Sequence, residues 1–274
     1  MRAIILFATS VAVTFFLHHL PVQAQESEQP AIELTVDERE RLKFVSNRGL
    51  QLLQNDDAAW VATDRLMVDT NDNPKDAGVS GWISQKLADG TLRVTFIERR
   101  EDGLYAAHQS IVDGREILST QFFEDRQARP KLSEDETRLF NARFTAVTAI
   151  ADEGLCTPTI NSAVIPTPAG LEVYLLGPET KENTVRMGRH YRVLVGSDGK
   201  ADAPQKFTNG CVLLEKTENS IGLTVTHLLS DIPTEIHVFQ SLRHQTPIFV
   251  LTTQNNRLWK VSGSEIQLIK TIGE

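Results

Sequence analysis

The residues best suited to chemistry lie in one short stretch, 226–237, which reads Thr-His-Leu-Leu-Ser-Asp-Ile-Pro-Thr-Glu-Ile-His. If 230–234 is the loop of a β-hairpin, Leu229 pairs with Glu235 and His227 with His237. Side chains two apart on a strand share a face, so His227, Glu235 and His237 would stand together. Two imidazoles and one carboxylate can ligate zinc or non-haem iron, which would make the site a metal-dependent hydrolase. Leu223, Val225 and Phe239 on the same face would give it a partly apolar wall. The alternative is a polar cross-strand pair, with Glu235 ion-paired to a histidine. His244 joins only if the next turn folds back.

Other stretches fall short of a known chemistry. Asp69-Thr70-Asn71-Asp72-Asn73 places oxygens at positions 1, 3 and 5 of a calcium loop. Pro74 stands where the turn glycine belongs and Ser80 where the bidentate glutamate belongs, so an acidic surface loop is expected instead. Gly78-Val79-Ser80-Gly81 is no nucleophile elbow, because Trp82 follows. A P-loop, a Gly-x-Gly-x-x-Gly turn opening a helix and a His-Glu-x-x-His helix are all missing from the sequence. No cofactor is therefore expected. Arg186, Arg189, His190 and Arg192 form the densest positive patch. On a strand Arg189 points away from His190 and Arg192, so solvated strand-edge side chains are expected rather than an anion site.

The chain's start and its cysteines set the compartment. Arg2, an apolar stretch over 3–17 and Val22-Gln23-Ala24 follow the order of a signal peptide cleaved after Ala24. The apolar stretch is short for a membrane span, and no later segment replaces it. Gln25 rather than cysteine follows the cleavage point, so no lipid anchor is indicated. The 274 residues carry a net charge of −8, and loss of Arg2 with residues 1–24 makes it −9. No basic run exceeds two residues, which argues against nucleic acid as a partner. Two cysteines, Cys156 and Cys211, are most simply one disulfide in an oxidising compartment.

The elements that must position these residues read as α+β. After a polar tail over 25–34, Thr35 and Glu38 form a capping box. Leu42, Val45, Gly49 and Leu52 then recur at helical spacing, predicting a helix over 36–54 that Asn55-Asp56-Asp57 interrupts, with a short second helix near Trp60 and Leu66. Strands follow at 81–87, 91–98, 104–112 and 115–122, separated by three Asp-Gly pairs, the signature of tight hairpins. Leu92, Val94 and Phe96 alternate with Arg93 and Thr95, predicting one buried and one wet face. A charged linker spans 124–131. A second capping box, Ser133 with Glu136, opens a helix that ends at Gly154. The remainder is predicted as strands at 163–165, 171–176, 190–195, 205–207, 223–229, 235–242, 248–252, 257–261 and 266–269. Two units result, 35–130 and 131–274, each a capped helix followed by an antiparallel β meander. Duplication is suggested by topology alone.

Four segments carry a resemblance: Thr226-His227-Leu228-Leu229, the seven residues 233–239, the six residues 188–193, and Ala58-Ala59-Trp60-Val61. They resemble uncharacterised exported proteins of sphingomonad-type proteobacteria, over about 40–262. The resemblance implies a periplasmic or secreted protein and no particular activity. The function expected is therefore an exported, non-enzymatic protein that binds a small molecule or an envelope protein. The alternatives are the metal-dependent hydrolase at His227, Glu235 and His237, and a structural envelope-associated module.

Overall fold

The computed structural model describes residues 33–273. The expected signal peptide and most of the tail over 25–34 lie outside the described residues. The first element, α1 (Val36–Asp69), is a single helix of 34 residues, about 51 Å long at 1.5 Å per residue. Its capping box is formed: the Glu38 N–H donates to Thr35 Oγ1 at 3.1 Å and the Thr35 N–H to Glu38 Oε2 at 2.8 Å. The break expected at Asn55-Asp56-Asp57 does not occur. Asn55 turns its amide back onto the Gln51 carbonyl at 2.9 Å, Asp56 pairs with Arg243, and Asp57 faces Arg115 at 3.7 Å. The side chains that favour a turn are thus occupied, and burial of Ala58, Ala62 and Leu66 carries the helix on.

The meander forms as expected. β1 (Val79–Lys86), β2 (Leu92–Arg100), β3 (Gly103–Asp113) and β4 (Glu116–Phe122) make one antiparallel sheet in chain order. Gly90 and Gly114 take the positive φ values, 92° and 56°, that two of these turns require. The expectation of one wet face is wrong for β2. α1 covers Leu92, Val94 and Phe96, while Ile97, Leu104 and Ala106 pack under the second helix. Thr95 and Glu98 are consequently buried. Segment 124–131 holds a short 3-10 turn, Arg126–Ala128.

The second helix, α2 (Glu134–Ala149), starts on the Ser133–Glu136 capping box and ends at Ile150, before Gly154. Then come β5 (Asn161–Thr167), β6 (Gly170–Leu176), β7 (Thr184–Arg186), β8 (Tyr191–Val195), β9 (Gln205–Lys206), β10 (Leu213–Glu215) and β11 (Leu223–His227). Strands β5, β6, β8 and β9 make an antiparallel sheet, and β7 and β10 a two-stranded ribbon. One face of the larger sheet, with Val173, Leu175 and Val193, packs on α2. The other, with Ala163, Tyr174 and Leu176, packs toward α1.

The predicted strand over 235–242 is instead a helix, α3 (Glu235–His244). It crosses from β11 to β12 (Ile248–Thr252), and those two strands are parallel. β13 (Arg257–Ser262) and β14 (Glu265–Thr271) complete that sheet in antiparallel fashion. The second half is therefore not a plain meander, and its end is a β–α–β unit. Segment 35–130 is not a separate body either, because α1 packs on α3 and β14 as well as on the meander. At Gly49 a Cβ would lie 2.4 Å from Val238 Cγ1, so glycine lets α1 and α3 touch. Cys156 and Cys211 are disulfide-bonded, with Cα atoms 5.6 Å apart, and tie the loop after α2 to the approach of β10. Among the described residues no helix is long and apolar enough to cross a membrane.

Candidate functional site

The hairpin that would gather His227, Glu235 and His237 is absent, because the second segment is helical. Two of the three still meet. His227, at the end of β11, and His237, in the first turn of α3, stack edge to face with ring centres 5.0 Å apart. His237 Nδ1 accepts the Thr234 N–H at 2.9 Å, so the imidazole completes the helix cap and carries its proton on Nε2. Both rings are buried. Burial pushes the His227 imidazole down to about 4, and pushes His237 well below its ordinary value, helped by His227 beside it. His227 Nε2 is buried and unpaired.

Glu235 turns elsewhere. Its Oε1 accepts the Tyr174 hydroxyl at 2.9 Å and the Arg192 guanidinium at 3.0 Å. No group of three or more metal-ligating side chains gathers anywhere among the described residues. The three-residue metal set read from the sequence is therefore not assembled: residues two apart on a helix diverge, whereas on a strand they would align. His244 pairs with Glu179 at 3.1 Å and stays apart.

The positive patch is also built differently from a solvated strand edge. His190 is fully buried, accepts the Gly177 N–H on Nδ1 at 3.1 Å and donates from Nε2 to the Arg186 carbonyl at 2.9 Å. Burial lowers it to about 4. Arg186 is buried and donates to the Pro178 carbonyl and Thr180 Oγ1. These groups hold the ribbon to the sheet and to α3, where Gln240 shares the Arg186 carbonyl at 2.8 Å.

Sequence reasoning missed a second buried network. Glu98, 1% exposed at its side chain, accepts Arg100 and Arg129 at 2.7 Å each and also Arg126. These guanidinium groups hold its carboxyl down to about 2 against the cost of burial. Arg129 further donates to the Ala77 carbonyl at 2.7 Å. The segment expected to be a linker is thereby clamped to the meander. In the former calcium-loop candidate, Asp69 is taken by His108 at 2.9 Å and by Arg65 at 2.7 Å.

An open concave site lies where β1 and β5, each an edge strand of its own sheet, run along α1. A cleft of about 220 Å³ is walled by Trp60 of α1 and Trp82 of β1. Leu52, Ala163 and Leu176 form its apolar floor, and Asn161 and Ser162 face it from β5. The Arg243 guanidinium lies 6.0 Å from the Trp60 ring centre and the Arg143 guanidinium 4.5 Å from that of Trp82. Neither arginine lines the cleft, and each holds its indole by a cation–π contact. The one ionisable lining residue, Asp56, is ion-paired to Arg243. Of the cleft's residues only the helical stretch around Trp60 stood out in the sequence. The rest come from three segments far apart in the chain, so no local motif announces them. Compared by sequence and by structure, the chain matches no protein-family model, no curated protein and no solved structure.

Proposed function

We propose that this chain is an exported binding protein that holds a small ligand in the Trp60–Trp82 cleft and returns it unchanged. The observation that carries this reading is the cleft itself: concave, largely apolar, walled by two tryptophans, with a few polar groups converging on it. Its one ionisable lining residue is already neutralised, which suits binding rather than proton transfer. The histidines whose pKa values burial lowers, His108, His190, His227 and His237, are buried, and none lines the cleft. The Cys156–Cys211 bond fits an oxidising compartment, as does the resemblance to exported proteins.

Tryptophan emission tests this directly. The chain has three tryptophans. Trp259 is fully buried and donates its indole N–H to Thr252 Oγ1 at 3.0 Å, so it is a constant background. Ligand entering the cleft should shift the emission of Trp60 and Trp82 saturably. Screening saccharides, amino acids, aliphatic acids and aromatic compounds should find a class that does so, recovered intact by mass spectrometry. A ligand recovered chemically altered, or a panel that never moves the spectrum, would overturn the reading.

A further inference from the structure

The Trp60–Trp82 cleft does not end at its own rim. Asn55 lines it and also lines a second cleft of about 340 Å³ that continues along α1 toward its N-terminus. Together the two span α1 from Thr63 back to Gln51, about 18 Å of helix at 1.5 Å per residue. Resting on the reading of this cleft as the binding site, we infer that its ligand is an uncharged oligosaccharide, laid lengthwise in the groove with one ring against the indoles.

Three features select that chemistry. The first is charge. Of the residues lining the two clefts, only Asp56 and Lys86 are ionisable, and Asp56 is paired with Arg243. The half of the groove walled by the indoles therefore lines no free charge that could balance a phosphate, a carboxylate or a zwitterion, whose desolvation needs a partner; Lys86 lies exposed in the other half. The second is the polar lining. Five amides border the groove: Gln51, Gln54, Asn55, Gln85 and Asn161. A primary amide offers a donor and an acceptor side by side, which matches a pair of neighbouring hydroxyls. Gln85 lines the groove, and its Oε1 is buried without a hydrogen-bond partner, which leaves its accepting capacity unmet. An apolar ligand would bury these amides and satisfy none of them. The third is the aromatic wall. The C–H bonds of a pyranose carry slight positive charge and sit well on the electron-rich face of an indole, while the indole N–H can reach a hydroxyl. Trp60 is 49% exposed, although such a side chain on a helix ordinarily packs inward.

The test is an array of neutral and anionic glycans probed with the labelled full protein, followed by fluorescence titration of whatever is retained. Neutral oligosaccharides should be retained, with longer chains held better than monosaccharides. Trp60→Ala, at an exposed helix position, should weaken binding about tenfold, the scale of one lost aromatic contact. Gln85→Leu should weaken it about three- to tenfold, the scale of one hydrogen bond, while leaving the protein at least as resistant to urea. Trp60→Phe should restore part of the loss. Retention of anionic glycans alone, or emission shifts from peptides or fatty acids but from no neutral saccharide, overturns this inference and leaves the binding-protein reading intact. Saccharide binding untouched by both Trp60→Ala and Gln85→Leu overturns the placement. No response to any ligand class overturns both.

Discussion

Glu98 is the residue on which the meander's underside depends. A carboxylate so deeply buried is stable only because three guanidinium groups converge on it. Arg129 is the fully buried member, so Arg129→Ala should destabilise the protein by about 3–5 kcal/mol, the usual cost of stranding a buried charge. Urea denaturation with Arg126→Ala as the exposed comparison would measure it. The sealed histidines act on a different pH range. His190 and His227 sit near 4 in the folded protein against about 6.5 unfolded. Below 6.5 the unfolded chain binds protons that the folded chain refuses. Stability therefore falls as the pH drops from about 6.5 to about 4, by on the order of 3 kcal/mol per histidine. Glu98 adds to the loss with the same sign, but only from about 4.5 down to about 2. His227→Phe should flatten the decline between pH 6.5 and 5 while keeping the edge-to-face contact with His237. Urea midpoints at both pH values would show it.

Among the elements, what could be read from the sequence was what neighbours in sequence decide. Both capping boxes and the Asp-Gly turns are local chemistry, and they form where expected. α3 misled because seven consecutive residues, Glu235 to Ser241, are all buried. A helix covered on every side shows no apolar stripe, and its Ile236 and Val238, two apart, imitate a strand. The Asn55-Asp56-Asp57 interruption misled for a related reason: Arg243 and Arg115, which occupy the two aspartates, lie far away in the chain. That same distance hid the cleft. Trp60, Trp82 and Asn161 approach one another only after α1 has brought two sheet edges together. The contact between α1 and α3 can be tested at Gly49. Gly49→Ala places a methyl against Val238 and should cost about 1–3 kcal/mol, although alanine is the better helix former. Val238→Ala in the same chain should recover part of that loss, a coupling that a double-mutant cycle reads directly.

On the scale of the whole molecule, two of the three apolar clusters share one strut. The N-terminal half of α1 gives Leu42, Val45 and Leu52 to the cluster containing Trp259, and the C-terminal half gives Ala58, Ala62 and Leu66 to the cluster under the meander. Unfolding should therefore be a single event, with far-ultraviolet dichroism and Trp259 emission changing together in urea. Reducing the Cys156–Cys211 bond, which closes a separation of 55 residues, should lower stability by about 4 kcal/mol without dividing that transition in two.

The same strut fixes when the protein can fold as it is being made. Leu42, Val45 and Leu52 are among the first residues of α1 to leave the ribosome, yet Val225, Val238 and Trp259, which help to cover them, are among the last. Through most of translation the leading half of the helix has nothing to pack against, and a helix without its apolar cover is marginal in water. The leading half of α1 therefore gains its full cover only when the C-terminal sheet has been made, although the clusters under the meander and under α2 are complete earlier. The first helix begun is thus the last to be fully covered, and its leading half reports when the whole chain has been made.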